Sequence, residues 1–233
     1  MKKASRSNKL AKRTPLTRER IFHLALELVD KGGIESVSMR QVAQGLGVEA
    51  MSLYKHIANK DDLMDGLVEL IFAQMTLPSS DLEWKAALRE RAFTVRQALN
   101  RYPWAASLIE TSQNLGPTRL HHHNTMIGIL RKNGFTIELA YNILISFTSY
   151  IYGFVIMEQA WFAPPKEKKA VVKPPVNPQQ ISPEEFPYIL EMLNFVSGKG
   201  SDATVRPQRG LATEFEFGLS TLLEGFARSL PKK

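Results

Sequence analysis

Residues 38–60, SMRQVAQGLGVEAMSLYKHIANK, limit what this chain can fold into more tightly than any other stretch. Ser38 followed three residues later by Gln41 has the form of a capping box, in which the hydroxyl accepts from a first-turn N–H and the amide reaches back. Met39, Val42, Ala43 and Leu46 then recur at i, i+3, i+4 and i+7, the apolar face of a short helix. Gly47 is positioned to end it, because a residue without Cβ enters the left-handed region that turns the chain sharply. A second helix follows within a few residues. Its Val48, Met51, Leu53 and Ile57 are expected to point inward, and Ala50, Ser52, Lys55 and His56 outward. Two short helices about a glycine turn are either an ordinary helical hairpin or a helix-turn-helix, whose second helix fits the DNA major groove.

Charge placement separates these readings. Residues 1–60 hold 12 Lys or Arg and 5 Asp or Glu, while residues 61–233 hold 18 of each sign, so the whole surplus of +7 lies in the first 60 residues, which end with the two-helix segment. A basic arm alone binds RNA, anionic lipid or nothing. Joined to a helix-turn-helix it favours duplex DNA, where each neutralised phosphate adds about 0.9 to the salt slope of binding. There is no cysteine, which excludes disulfides and thiolate chemistry. No apolar stretch follows the basic start MKKASRSNKLAKR, and no unbroken run of about 18 apolar residues occurs, so a cytoplasmic protein without a membrane segment is the simplest expectation.

The remaining sequence reads as all-α. Residues 1–14 form a polar basic arm expected to lack order. Thr17 caps a helix with a stripe of Ile21, Leu24, Ala25 and Leu28, ended by Gly32-Gly33. These supports and the two-helix stretch make a three-helix DNA-binding head over 15–60. Asn59 caps a connecting helix, 61–78, with Asp61 and Asp62 against its N-terminal dipole, Leu63, Leu67, Leu70 and Ile71 inward, and Pro78 as its stop. Residues 79–233 are expected to form a larger helical domain for ligand binding and dimerisation. Ser80 or Asp81 opens its first helix, which Tyr102-Pro103 breaks. A short helix from Trp104 and another over Pro117–Asn133 follow, and then a long helix over about 136–162, apolar nearly all round. One stripe of the long helix holds Leu139, Ile143, Phe147, Tyr150, Phe154, Met157 and Trp161, and another holds Tyr141, Ile145, Tyr152 and Ile156. A Pro-rich loop over 163–181 precedes a helix opened by Ser182-Pro183-Glu184-Glu185. After the polar loop SGKGSDATVRPQRG, a last helix carries Leu211, Phe215, Leu219, Leu222 and Phe226 on one side.

The wording of two regions goes beyond periodicity. GLGVEAMSLYKHIANKDDLMDGL resembles the signature of the TetR family of transcriptional regulators, whose recognition helix ends in Leu-Tyr-x-His-(Ile/Val) before Asn-Lys and an acidic helix start. The matching positions are Leu53, Tyr54, His56, Ile57, Asn59 and Lys60. GPTRLHHHNTMIGILRKNGF, YIYGFVIMEQ and FEFGLSTLLEGF resemble the regulatory domain of that family's tetracycline-repressor branch, so the likeness covers nearly all of 15–230. The resemblance implies a homodimeric repressor whose long and last helices pair about a two-fold axis, and whose near-palindromic operator is released when a small-molecule effector binds. It implies DNA contacts from Ser38, Met39, Arg40, Ala50, Ser52 and Lys55, with Met39, Ala50, Ser52 and Lys55 as readers of base edges and Arg40 on a base or a phosphate. Tyr54, His56 and Lys60 are implied as phosphate anchors, with Tyr54 equally placed to be core. Ala50 and Lys55 depart from the family's usual residues, so no operator sequence is implied.

Trp104, Leu108, Met126, Leu130, Phe147, Tyr150, Phe154, Met157 and Trp161 are individually ordinary core residues. As a group they describe an apolar pocket for a hydrophobic or aromatic effector. His121-His122-His123 is not a metal site on spacing, because consecutive helical residues point about 100° apart, although one of them can face the pocket. The branch's magnesium-ligating His precedes this helix; the corresponding segment here, ETSQNLG, has none. No cofactor, metal or catalytic constellation is expected, and Asp61-Asp62 and Glu184-Glu185 sit at helix starts where the dipole accounts for them. The alternatives are a DNA-binding regulator without an effector, or a helical carrier or enzyme with an incidental basic head.

Overall fold

The computed structural model describes residues 15–112, 114–162, 181–196 and 211–230; the expected basic arm, most of the Pro-rich loop and the loop of residues 197–210 lie outside them. The described residues are helical without strands. In chain order the helices are α1 Arg18–Gly32, α2 Met39–Leu46, α3 Ala50–Leu53, α4 Lys60–Gln74, α5 Trp84–Arg101, α6 Ala105–Thr111, α7 Pro117–Lys132, α8 Ile137–Phe162, α9 Pro187–Val196 and α10 Ala212–Arg228.

Local chemistry accounts for most helix ends. Thr17 accepts from the Arg20 N–H at the start of α1, and Asn59 accepts from the Asp62 N–H at the start of α4. Ser38 Oγ accepts from the Gln41 N–H at 3.3 Å and donates to Gln41 Oε1 at 2.7 Å, so the reciprocal half of the capping box closes on the hydroxyl instead of the backbone. Gly47 takes φ 67°, ψ 34° and turns α2 into α3.

Other boundaries differ from expectation. α4 ends at Gln74, because the next residue, Met75, turns extended and buries its side chain before Pro78 is reached. Glu83, not Ser80 or Asp81, caps α5, its Oε2 accepting from the Lys85 N–H at 2.9 Å. Ser182 forms a separate turn, its carbonyl accepting from the Phe186 N–H at 2.9 Å, and α9 starts only at Pro187.

The head core joins Ile21, Ala25 and Val29 of α1 to Val42, Ala43, Leu53 and Ile57, with Leu24 and Leu28 only partly covered. α4 faces both ways. It packs on α1 and, beyond it, on α6 and α7. The larger core is built by α5, α7, α8 and α10 around Leu88, Leu99, Leu130, Phe135, Ile151 and Phe215. Residues 137–161 have a mean hydropathy of 1.5 and are long and apolar enough to cross a bilayer. Contacts on α5, α7 and α10 account for one side of this helix, and it carries the buried carboxylate Glu158.

Candidate nucleic-acid interface and core cavity

The two-helix stretch keeps its polar side outward. Arg40, Ala50, Tyr54, Lys55 and Lys60 are exposed, and Ser38, Met39, Ser52 and His56 are half-buried. Leu53 and Ile57 are fully enclosed and fix the roll of α3. Met51, expected inside, is 72% exposed, because the single turn of α3 has room for only one inward residue before the chain tightens toward Ile57. Tyr54 is 48% exposed, which removes the core reading for it. Arg40, Ala50, Met51, Tyr54, Lys55 and Lys60 thus form the outward set of this stretch, and Met39 packs partly against the core.

The head is locked to α4. Arg18 donates to Asp62 Oδ1 at 2.7 Å and to the His56 carbonyl, while Asp62 also accepts from the Ala58 N–H at 2.8 Å. The Arg18 hydrogen bond holds the Asp62 carboxyl below its ordinary range against the opposing effect of burial. Deeper in the joint, Phe22 of α1 lies so close to Gly66 of α4 that an added Cβ there would come within 2.1 Å of the ring. Gly66 thus brings α1 and α4 into close contact at this joint.

The far half of α4 meets α7 through carboxylates. Glu69 accepts from the Thr118 N–H at 2.8 Å and the Arg119 N–H at 3.3 Å, closing the first turn of α7 as a side chain from another helix. Gly116 permits this approach, since a Cβ on it would sit 2.2 Å from the Glu69 carboxyl carbon. Asp65 accepts from Ser112 Oγ at 2.7 Å and Asn114 Nδ2 at 2.8 Å.

Beyond Glu69, helices α4, α5, α7 and α8 enclose a cavity of about 50 Å³. Phe72, Val95, Met126, Leu144, Phe147 and Ile151 give it apolar walls, and Arg91, His122, His123, Thr148 and Tyr152 give it polar ones. Arg91 is 6% exposed and His122 5%. The His122 ring stands edge-on to Phe72, centroids 5.5 Å apart, and the Arg91 guanidinium carbon lies 5.7 Å from the same ring. Burial, reinforced by Arg91 and the two neighbouring histidines, pushes His122 down to about 4. Burial lifts the Tyr152 hydroxyl to about 12 and lowers Arg91 to about 10. At neutral pH, Arg91 is charged and the other two are neutral.

Of the nine expected pocket residues, Met126 and Phe147 line this cavity. The rest are not brought together there. Leu130 is fully buried in the core, Trp104 packs on Tyr102, and Leu108 lines a surface cleft beside Asp61 and Asp65. Tyr150 and Phe154 pack against Phe215 of α10, with the Tyr150 hydroxyl donating to the Phe215 carbonyl at 2.7 Å. Met157 is half-buried and Trp161 is 59% exposed. An apolar stripe on a long helix serves several neighbours in turn, so membership of the stripe does not assign a residue to one cavity. Likewise Tyr152, grouped by period with Tyr141 and Ile145, turns inward while those two stay exposed. The sequence reading missed Arg91, Tyr152 and Phe72. Arg91 had a signal: it interrupts the apolar stripe Trp84, Leu88, Val95, Leu99 at a core position.

Residues 21–67 match the profile of bacterial regulatory proteins of the tetR family, and residues 77–230 match the tetracyclin repressor-like C-terminal domain. The chain belongs to the TetR family. TetR-family membership makes the chain a DNA-binding transcriptional regulator whose helix-turn-helix lies within the matched residues 21–67, and the all-α two-domain fold is that of the family. The class D tetracycline repressor of Escherichia coli is 29% identical over 212 residues, covering 90% of this chain and 93% of that protein. A transcriptional regulator of Saccharopolyspora erythraea is 31% identical over 147 residues, and that match spans 63% of this chain and 62% of the relative's own length. A crystal structure of a possible TetR-family regulator from Streptomyces coelicolor superposes with a TM-score of 0.69 at 26% identity, over 91% of this chain and 99% of that one.

Proposed function

We propose that this TetR-family protein is a homodimeric repressor that leaves a near-palindromic operator when a small molecule enters the cavity between α4, α5, α7 and α8. The observation that carries the reading is α4 itself: Phe72 forms a cavity wall at one end, and Gly66 and Asp62 clamp the DNA-binding head at the other. A ligand that displaces Phe72 or the Glu69-capped start of α7 moves α4, and the Phe22–Gly66 contact transmits that movement to α3. To shift occupancy from 99:1 to 1:99 the ligand must favour the released state by about 5.5 kcal/mol. Division of labour follows the chain: residues 15–60 read DNA, 61–78 transmit, and 79–233 bind effector and partner.

The dimer supplies two heads for successive major grooves, about 34–36 Å apart. Its contact surface is proposed on α8 and α10, where Tyr141, Ile145, Ile156 and Phe217 are 65%, 53%, 47% and 75% exposed. Ser149 and Gly153 lie on the same exposed side of α8 and allow two copies of that helix to approach closely. Arg40 and Lys55 are assigned to base edges, with Met39, Ala50 and Ser52 beside them; Ser38, Tyr54, His56 and Lys60 are assigned to the backbone.

Two measurements test this. Fluorescence anisotropy against DNA from the protein's own promoter region at about 150 mM salt should find a specific complex. There Arg40→Ala relaxes discrimination between sequences, and Lys60→Ala weakens all of them alike. Sedimentation of the free protein should find a dimer that Ile145→Glu dissociates. Binding indifferent to sequence, or a wild-type monomer, ends the proposal.

A further inference from the structure

Resting on the reading that this cavity receives the effector, we propose that it is built for the anionic head of a small apolar organic acid, with the Arg91 guanidinium as counter-ion. Arg91 is inside the protein without the partner such a charge requires. Its Nη1 has no hydrogen-bond acceptor, and no carboxylate among the described residues forms an ion pair with it. An uncompensated buried cation costs several kcal/mol, a cost that a carboxylate in bidentate contact offsets.

The surroundings repeat the pattern. His122 Nδ1, on the same cavity wall, is also buried without a partner. Neutral at ordinary pH, it presents either a donor or an acceptor according to tautomer. The Tyr152 hydroxyl stays protonated and adds a donor to the lining. These groups and the guanidinium suit an oxyanion, and a cationic ligand would meet Arg91 as a like charge. Val95, Met126, Leu144 and Phe147 line the rest of the cavity with aliphatic, thioether and ring surface, which selects an apolar body behind the acid.

Size narrows the class further. At about 50 Å³ the cavity exceeds the share of liquid volume held by one water, about 30 Å³, but is far below the roughly 300–1,000 Å³ of a drug-sized site. The cavity is about a third of the roughly 150 Å³ that accommodates a benzene ring, so the space holds the acid head alone and any ring behind it must push on Phe72 or the first turns of α7. Those are the walls attached to α4, so a body too large for the space presses on the helix that carries the DNA-binding head.

The test uses the full-length protein with benzoate, salicylate and naphthoate, each beside its neutral amide, at neutral pH and matched ionic strength. Calorimetry and thermal shift report binding, and promoter anisotropy reports release. The acids should raise Tm where the amides do not. Arg91→Met and Arg91→Gln should weaken acid binding about ten-fold or more, while Arg91→Lys retains part of it and Arg101→Met, an exposed control, all of it. The anion site is overturned if the amides match the acids, if the Arg91 variants bind the acids as wild type does, or if no acid binds. Arg91-dependent acid binding that leaves promoter affinity unchanged supports the anion site and instead removes the effector reading.

Discussion

Arg91 and Arg96 stand five residues apart on α5, both largely removed from water, and their surroundings are opposite. Arg96 is paired: its Nε donates to Glu158 Oε2 at 3.0 Å, its Nη2 donates to the other carboxylate oxygen, and its guanidinium carbon lies 4.9 Å from the centre of the Phe215 ring. Glu158 also accepts from Asn100 Nδ2 and the Leu211 N–H, each at 3.0 Å, so one carboxylate fastens α8 to α5 and to the start of α10. Burial raises the Glu158 carboxyl, but the bonds from Arg96, Asn100 and Leu211 outweigh it and hold the group below its ordinary range. Arg91 has an aromatic neighbour and a cavity, and no acid. The difference teaches that a buried charge with its partner in the chain belongs to the fold, whereas one facing a cavity without a partner points to a ligand.

The comparison makes measurable demands. Glu158→Ala should have the largest effect, a loss of about 3–5 kcal/mol in urea unfolding, because it leaves Arg96 buried and unpaired. Replacing both members by leucine should recover most of that loss; if it does not, the pair contributes more than mutual compensation.

His122 comes next. Its folded pKa, about 4, lies below the 6.5 of the unfolded chain, so its contribution is complete above pH 6.5 and is lost as pH falls from 6.5 toward 4. A loss on the order of 2 kcal/mol is expected over that window. His122→Gln should flatten it in a pH series of urea melts, and an unchanged acid limb would mean that His122 is already hydrated in the native state.

Arg91→Met should change the sign of the effect. Removing a buried cation without a partner should raise stability on the order of 1 kcal/mol, even as it weakens acid binding. A loss as large as that of Glu158→Ala would make Arg91 a structural residue and erase the contrast. The smallest change is expected at a third arginine, Arg18, whose side chain is 51% exposed beside Asp62. Arg18→Ala should cost less than about 1 kcal/mol in the same melts, while weakening operator binding more than that stability loss implies, because it loosens the joint between α1, α3 and α4.

What could be read in advance follows from the range of each interaction. Thr17, Ser38, Gly47 and Asn59 act on backbone groups within a few residues, so the sequence by itself determined where α1, α2 and α4 begin and where α2 turns into α3. Of the positions the alternation set outward, Ala50 and Lys55 are exposed and Ser52 and His56 half-buried. The exposure of Met51, the cap supplied by Glu83, and the scatter of Trp104, Leu108, Tyr150 and Trp161 away from the cavity depended on which helix lay opposite. Only tertiary structure decided that Glu158 would meet Arg96 and that no described acid would meet Arg91, since those partners are chosen by the packing of α8 on α5 across about sixty residues of chain. Periodicity specifies which face of a helix is buried; the charge found there acquires its meaning from what the opposing helix brings to it.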